Sequence, residues 1–201
     1  MIRSGRWTGA DLAGFYYNRG VAYGKKGLPD QAIADYTQAI ALKPDFADAH
    51  FERGALYESK GLHDQAIADY TQVIALKPDF ADAYDDRGGA YENIDLHDQA
   101  VADFSQAIAL KPDFVDAYNG RAWSNHLAGR DAQALPDAEK AVSLLPSGWK
   151  VIDASALETR AEIYEKLGRR GEAIVDYRAA LKIIPDLKSA LDGLLTLGAT
   201  P

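Results

Sequence analysis

Cysteine is absent from all 201 residues. This excludes disulfides, thiolate metal sites and a cysteine nucleophile. Long apolar runs are absent too, and none approaches the length of a membrane span. The opening MIRSGRWTGADL carries Arg3 and Arg6 with no apolar stretch behind them, so it does not read as a signal peptide, and a cytoplasmic location is the expectation. Basic charge is in deficit, with 22 Lys and Arg against 30 Asp and Glu and a net charge of −8. An acidic chain repels phosphate backbones and anionic lipid, which argues against nucleic acid and membrane surfaces as partners. Proline is sparse, but its placement is regular. What remains is 47% hydrophobic, enough for a medium domain with a continuous core.

The segment DQAIADYTQAIALKPDF, starting at Asp30, returns with few changes from Asp64 and from Asp98, a period of 34 residues. Pro44, Pro78, Pro112 and Pro146 keep that step, while Pro185 comes 39 residues later, which places an insertion near Trp149 to Asp153. A fixed period of this size signals stacked repeats in which no unit can bury its apolar face alone. The units run over residues 13–46, 47–80, 81–114, 115–148 and 154–187, behind an extension over 1–12.

Each unit reads as two helices. In the second unit, Ala49, Arg53, Leu56, Tyr57 and Lys60 follow the helical period, as do Ala66, Ile67, Tyr70, Val73, Ile74 and Leu76. Gly61 suits a left-handed stop, and Pro78 cannot continue a helical ladder. The short loops force antiparallel neighbours. Gly20, Gly54 and Gly88, then Ala122 and Ala161, form a series of small residues. Tyr36, Tyr70, Phe104 and Tyr177 form a series of large ones. Alternation of this kind lets helices interdigitate at high density.

On this period, these small and large series and the closing prolines, the chain resembles tetratricopeptide repeats from Ala13 to about Leu187. The resemblance implies an all-α fold: a right-handed superhelical solenoid of five helix-turn-helix repeats, with first helices lining the concave face. The fourth unit departs most. Asn125 and Ala138 replace its two aromatics, Trp123 is expected to fill part of that volume, and Pro136 needs first-turn placement or a kink. Residues 188–201 read as a capping helix and tail, in which Leu187, Leu191, Leu194 and Leu195 cover the last repeat. The alternative for this segment is a dimerisation helix.

Arg19, Arg53, Arg87, Arg121 and Arg160 hold equivalent places in the first helices, and Asp35, Asp69, Asp103, Asp137 and Asp176 do so in the second helices. An arginine beside a packed stripe needs a partner. Their matched number and phase predict repeated structural ion pairs, in preference to an arginine ladder that grips carboxylates.

The first-helix residues not used for packing form the candidate partner-binding surface. They include Tyr17, Asn18 and Val21; Asp48, Phe51 and Glu52; Asp82, Asp85 and Asp86; Asn119, Trp123 and His126; and Glu158 and Glu162. The third unit holds most of the acidic excess. A curved acidic surface attracts cations, and aromatic residues are the type enriched at interface hot spots. The expected ligand is therefore a peptide or protein segment bearing Lys or Arg, with apolar groups near the aromatics. The plainer reading is that these carboxylates keep the surface soluble. Some tetratricopeptide proteins grip chaperone C-termini with a basic carboxylate clamp. Asp82 and Asp86 occupy that face here, which disfavours such ligands.

Catalytic and metal chemistry lack a constellation. His63 and His97 take the place of Pro29 and read as turn residues, and His50 takes the place of Tyr16 and reads as packing. No two histidines have ligand spacing on one face, and there is no calcium loop, phosphate-cradling glycine loop or serine elbow. The reading is therefore a protein-interaction scaffold that is not an enzyme and has no metal and no cofactor. Two alternatives stand beside it: a homo-oligomerising module pairing through Trp7, Leu194 and Leu197, and a regulatory segment of a larger protein.

Overall fold

A computed structural model describes residues 8–145 and 151–201. Among these residues the secondary structure is helical, with no strand. The chain forms two compact units that divide between Ile94 and Asp95. The first holds α1 (Gly9–Lys25), α2 (Pro29–Leu42), α3 (Ala47–Ser59), α4 (His63–Leu76) and α5 (Ala81–Glu92). The second holds α6 (His97–Leu110), α7 (Val115–Leu127), α8 (Asp131–Ser143), α9 (Val151–Lys166), α10 (Arg170–Ile183) and α11 (Lys188–Thr196). Within each unit, helices consecutive in the chain pack side by side.

Local chemistry sets the boundaries. Thr8 caps α1: its Oγ1 accepts from the Asp11 amide at 3.2 Å, and its own amide donates to Asp11 Oδ2 at 2.9 Å. This reciprocal box satisfies two terminal donors and starts α1 at Gly9, ahead of the expected start at residue 13. Pro29 opens α2, where its missing amide costs nothing. The second helices α2, α4 and α6 end at Leu42, Leu76 and Leu110, and their cap residues Lys43, Lys77 and Lys111 come one residue before the prolines. α9 begins at Val151, three residues before the expected unit start at 154. Pro146 and Trp149 lie outside the described residues.

The small–large alternation has a direct steric content. A Cβ on Gly20 would come within 2.7 Å of the Tyr36 ring, and one on Gly54 within 2.9 Å of the Tyr70 ring. Each glycine thus admits a fully buried tyrosine from the second helix of its own repeat.

The fourth repeat solves its missing aromatics in another way. Ala138 packs with Ala122, Ala134 and the fully buried Ile163 of α9. Ile163, not Trp123, therefore occupies the core beside Ala138, and Trp123 stacks instead on His126 at 5.2 Å. Asn125 is held by the Arg121 carbonyl at 3.0 Å and by Arg130 Nε at 2.8 Å. Pro136 is the sixth residue of α8, beyond the first turn. It sits on the exposed side, where water can reach the carbonyl that its ring leaves without a donor.

α11 packs on α10 and α9, with Ala190 and Leu194 fully buried. Counted from the preceding proline, Leu194 stands where Arg53, Arg87 and Arg121 stand in the repeats. Leu195 is 76% exposed and so does not cover α10 as expected. The burial of Leu194 also removes it from any exposed pairing surface, and Trp7 lies outside the described residues.

Gly27, Gly61, Gly129 and Gly168 end first helices with φ of +70° to +73°; Asp95 fills the same place at φ 60°. A Cβ in this region is strained, though aspartate tolerates it better than most residues. Asp95→Gly is expected to raise stability by about 1 kcal/mol, read from the urea midpoint at unchanged m value.

Candidate ligand-binding faces

A repeated ion pair positions the first helices. Arg19 donates to Asp35 at 2.6 and 2.7 Å, Arg53 to Asp69 at 2.8 and 2.7 Å, Arg121 to Asp137 at 2.7 and 2.7 Å, and Arg160 to Asp176 at 2.7 and 2.8 Å. Each pair is bidentate, the strongest form of a charge-assisted bond. Asp35, Asp69, Asp103 and Asp176 are buried. Burial alone would raise the Asp69 carboxyl, but hydrogen bonds from Arg53 and His50 outweigh it and hold it below the usual carboxylate range.

The arginines also reach backwards. Arg53 Nη1 donates to Thr37 Oγ1, Arg87 Nη1 to Thr71 Oγ1 and Arg121 Nη1 to Ser105 Oγ, each at 3.0 Å. The signal for this second tie lay in the Thr37, Thr71 and Ser105 series, which keeps the 34-residue step. Arg19 is different: its side chain is 43% exposed, with the Phe15 and Tyr16 rings at 5.3 Å. His50 is buried, and its two ring nitrogens contact Asp69 at 2.9 Å and the Pro44 carbonyl at 3.1 Å.

On the first unit, Asn18, Asp48, Glu52 and Asp82 are exposed, and Tyr17, Val21, Phe51, Asp85 and Asp86 are half-buried. Tyr17 rests against Phe46 at 4.8 Å and Tyr36 at 5.8 Å, and Phe51 against Phe80 at 5.0 Å and Tyr70 at 5.8 Å. Both rings are held in place before any ligand arrives. Asp48 accepts from Lys77 at 2.7 Å in an exposed pair, so it is already engaged. Burial, then the charges of Glu52 and Asp48, push the Tyr17 phenol up, a sign of the negative field on this face. A pocket of about 370 Å³ opens here, lined by Val21, Gly24, Lys25, Tyr36, Glu52 and Leu56.

On the second unit, the candidate residues are largely spent on neighbours. Asn119 donates to Ser155 Oγ at 3.3 Å, and Glu158 accepts from the Ser189 hydroxyl. His126 lies 2.5 Å from Asp131 and 3.7 Å from Glu162, and its side chain is 9% exposed. This histidine was expected to be open to a partner. Two flanking carboxylates and the Trp123 ring instead enclose it. Burial raises the Glu162 carboxyl, and the neighbouring His126 opposes that rise. Among the described residues there is no group of three metal-ligating side chains and no helix long and apolar enough to cross a membrane.

Family models described as tetratricopeptide repeat match residues 17–81, 86–148 and 154–187. No curated protein matches the chain. Among solved structures, a crystal structure of MamA protein is similar at TM-score 0.76 and 24% identity, over 95% of this chain and 98% of that one. YrrB, described as a TPR protein with an unusual peptide-binding site, is similar at TM-score 0.71 and 19% identity, over 88% and 89%. The first TPR of Spaghetti (RPAP3), bound to the HSP90 peptide SRMEEVD, is similar at TM-score 0.58 and 23% identity, over 62% and 99%.

Removing one partner of a buried pair leaves a bare charge. Arg160→Ala strands Asp176 and is expected to cost about 3–5 kcal/mol in chemical denaturation, whereas Arg19→Ala, where a 43% exposed arginine leaves room for water to reach the buried Asp35, costs less. A depressed aspartate contributes stability that is present above its unfolded pKa and lost as pH falls through the lower folded value. The Asp69 contribution therefore starts to fade below about pH 4 and is gone only beneath the lower folded value. Asp69→Asn should lower stability at neutral pH and flatten the acid limb of a Tm-versus-pH curve.

Proposed function

The chain belongs to the tetratricopeptide repeat family, and from that premise we propose that its first unit holds a peptide segment bearing Lys or Arg across the first-helix faces of α1, α3 and α5. Proteins of this family are generally interaction modules without catalytic activity, and the coarse role is that of a protein-interaction scaffold. The observation that carries the finer reading is the pairing of Glu52, Asp82, Asp85 and Asp86 with the half-buried rings of Tyr17 and Phe51. Carboxylates at the surface draw a cationic segment in, and ordered rings give its apolar groups a place to rest at little entropic cost.

The peptide-binding descriptions of YrrB and the RPAP3 module support a ligand of this general kind. Chaperone tails like the RPAP3 ligand end in acidic groups and a carboxylate. Asp82 and Asp86 would repel such an end, so the proposed ligand has the opposite charge over α5.

The test compares basic and acidic peptides of equal length by calorimetry at low and high salt. The basic peptide should bind more tightly and weaken as salt rises. Asp82/Asp85/Asp86→Ser should cost about tenfold in affinity, on the scale of a few solvent-screened ion pairs. Tighter binding of the acidic peptide, or affinity independent of salt, would reverse the reading.

A further inference from the structure

The pocket on the first unit exists because one repeat lacks a side chain that its neighbours possess. Five residues after the first-helix arginine the repeats carry Gly24, Glu58, Glu92, His126 and Glu165. Where a tyrosine faces a glutamate from this series, the two bond. Tyr70 donates to Glu58 Oε2 at 3.0 Å, and Tyr177 donates to Glu165 Oε2 at 3.1 Å. Tyr36 is the equivalent residue of the first repeat, and it faces Gly24. Its ring is 2% exposed and lines the pocket, and its hydroxyl has no hydrogen-bond partner among the described residues.

A second difference lies at the neighbouring first helix. In the second unit, a glycine lies against the second-helix ring from the following first helix: Gly120 against Phe104, and Gly193 against Tyr177. In the first unit that place is held by Glu52, which stands at the pocket's edge beside Tyr36. Tyr36 thus has neither the carboxylate that engages Tyr70 and Tyr177 nor the glycine contact that covers Phe104 and Tyr177.

We propose that this pocket receives the carboxyl group of a glutamate side chain from the bound segment, accepting from the Tyr36 hydroxyl and pairing with Lys25. The proposal rests on the reading of the first-helix faces as the ligand-holding surface, and it adds one acidic position to the otherwise basic segment. The neighbouring repeat supplies the template. There the Glu58 carboxyl occupies the corresponding space, and Asp86 acts on the same tyrosine from the place equivalent to Glu52. An acid at the rim therefore does not exclude a carboxyl group from the pocket. Lys25 replaces the Ser59 of that repeat and adds a cation that the template lacks. Burial first, then Glu52, pushes the Tyr36 phenol up, so it remains a donor.

The probe is N-acetyl-glutamate N-methylamide, followed through the amide shifts of Val21, Gly24 and Leu56 in the full chain. Saturable shifts at these amides are expected. The glutamine counterpart should bind about tenfold more weakly, as should the glutamate probe to Tyr36→Phe, each losing one charge-assisted bond. Nothing lies within 4 Å of a Cβ built on Gly24, so side chains fit there. Gly24→Glu should fill the pocket from within and abolish binding, while Gly24→Ala retains it. Absence of shifts in the native chain, or equal binding by Gly24→Glu, would overturn the proposal. Tighter binding of free glutarate than of the capped residue would overturn the assignment to a peptide side chain. The probe carries no basic group and leaves Asp82, Asp85 and Asp86 intact, so failure here reads separately from failure of the basic-segment reading.

Discussion

The bidentate arginine–aspartate pair between the two helices of a repeat is the contact on which the architecture depends. An aspartate buried as Asp69 or Asp176 is buried cannot stand alone, and its arginine fixes the rotation of the first helix against the second. Because Arg53, Arg87 and Arg121 also bond the hydroxyl of the preceding second helix, one side chain sets both the pairing within a repeat and the seating on its predecessor. α11 follows α10 with no described second helix of its own, and leucine replaces arginine there. The buried Leu194 gains from the core what an unpaired arginine would lose.

Rotation fixed in this way decides which residues a first helix presents, but presenting a residue does not leave it available. The second unit shows the distinction. Asn119, His126, Glu158 and Glu162 emerge on first helices, and then bond to Ser155, Asp131, Ser189 and one another. These contacts are made within the chain, although the buried Asn119 Oδ1 has no hydrogen-bond partner among the described residues. In the first unit, Asn18, Glu52 and Asp82 stay exposed beside ordered aromatic rings. The two units thus differ in how far these first-helix groups remain exposed.

Much of the fold was legible because a repeat displays the same physical requirement several times over. The prolines marked helix ends, the glycines marked close approach, and the Arg and Asp series marked paired burial. Features that depend on a deviation from the repeat were harder to read. Asp95 looks like one more acidic residue until its φ shows that it stands in a glycine position. Gly24 looks like a small helix residue until Tyr36 is seen to lack the bond that Tyr70 makes. Trp123 was the natural candidate to replace a missing aromatic. Ile163, from a different helix, takes the space beside Ala138 because packing follows proximity in the fold and not within the segment. The enclosure of His126 escapes the periodicity because its neighbours Asp131 and Glu162 come from other helices.

The glycine contacts of Phe104 and Tyr177 come from the helix that follows, not from the one that carries the ring. These two copies are therefore completed by their successors, and near-identical copies are not interchangeable parts. If recombination dropped α7 and α8 while keeping the reading frame, the inherited damage would extend upstream to a repeat whose own letters had not changed.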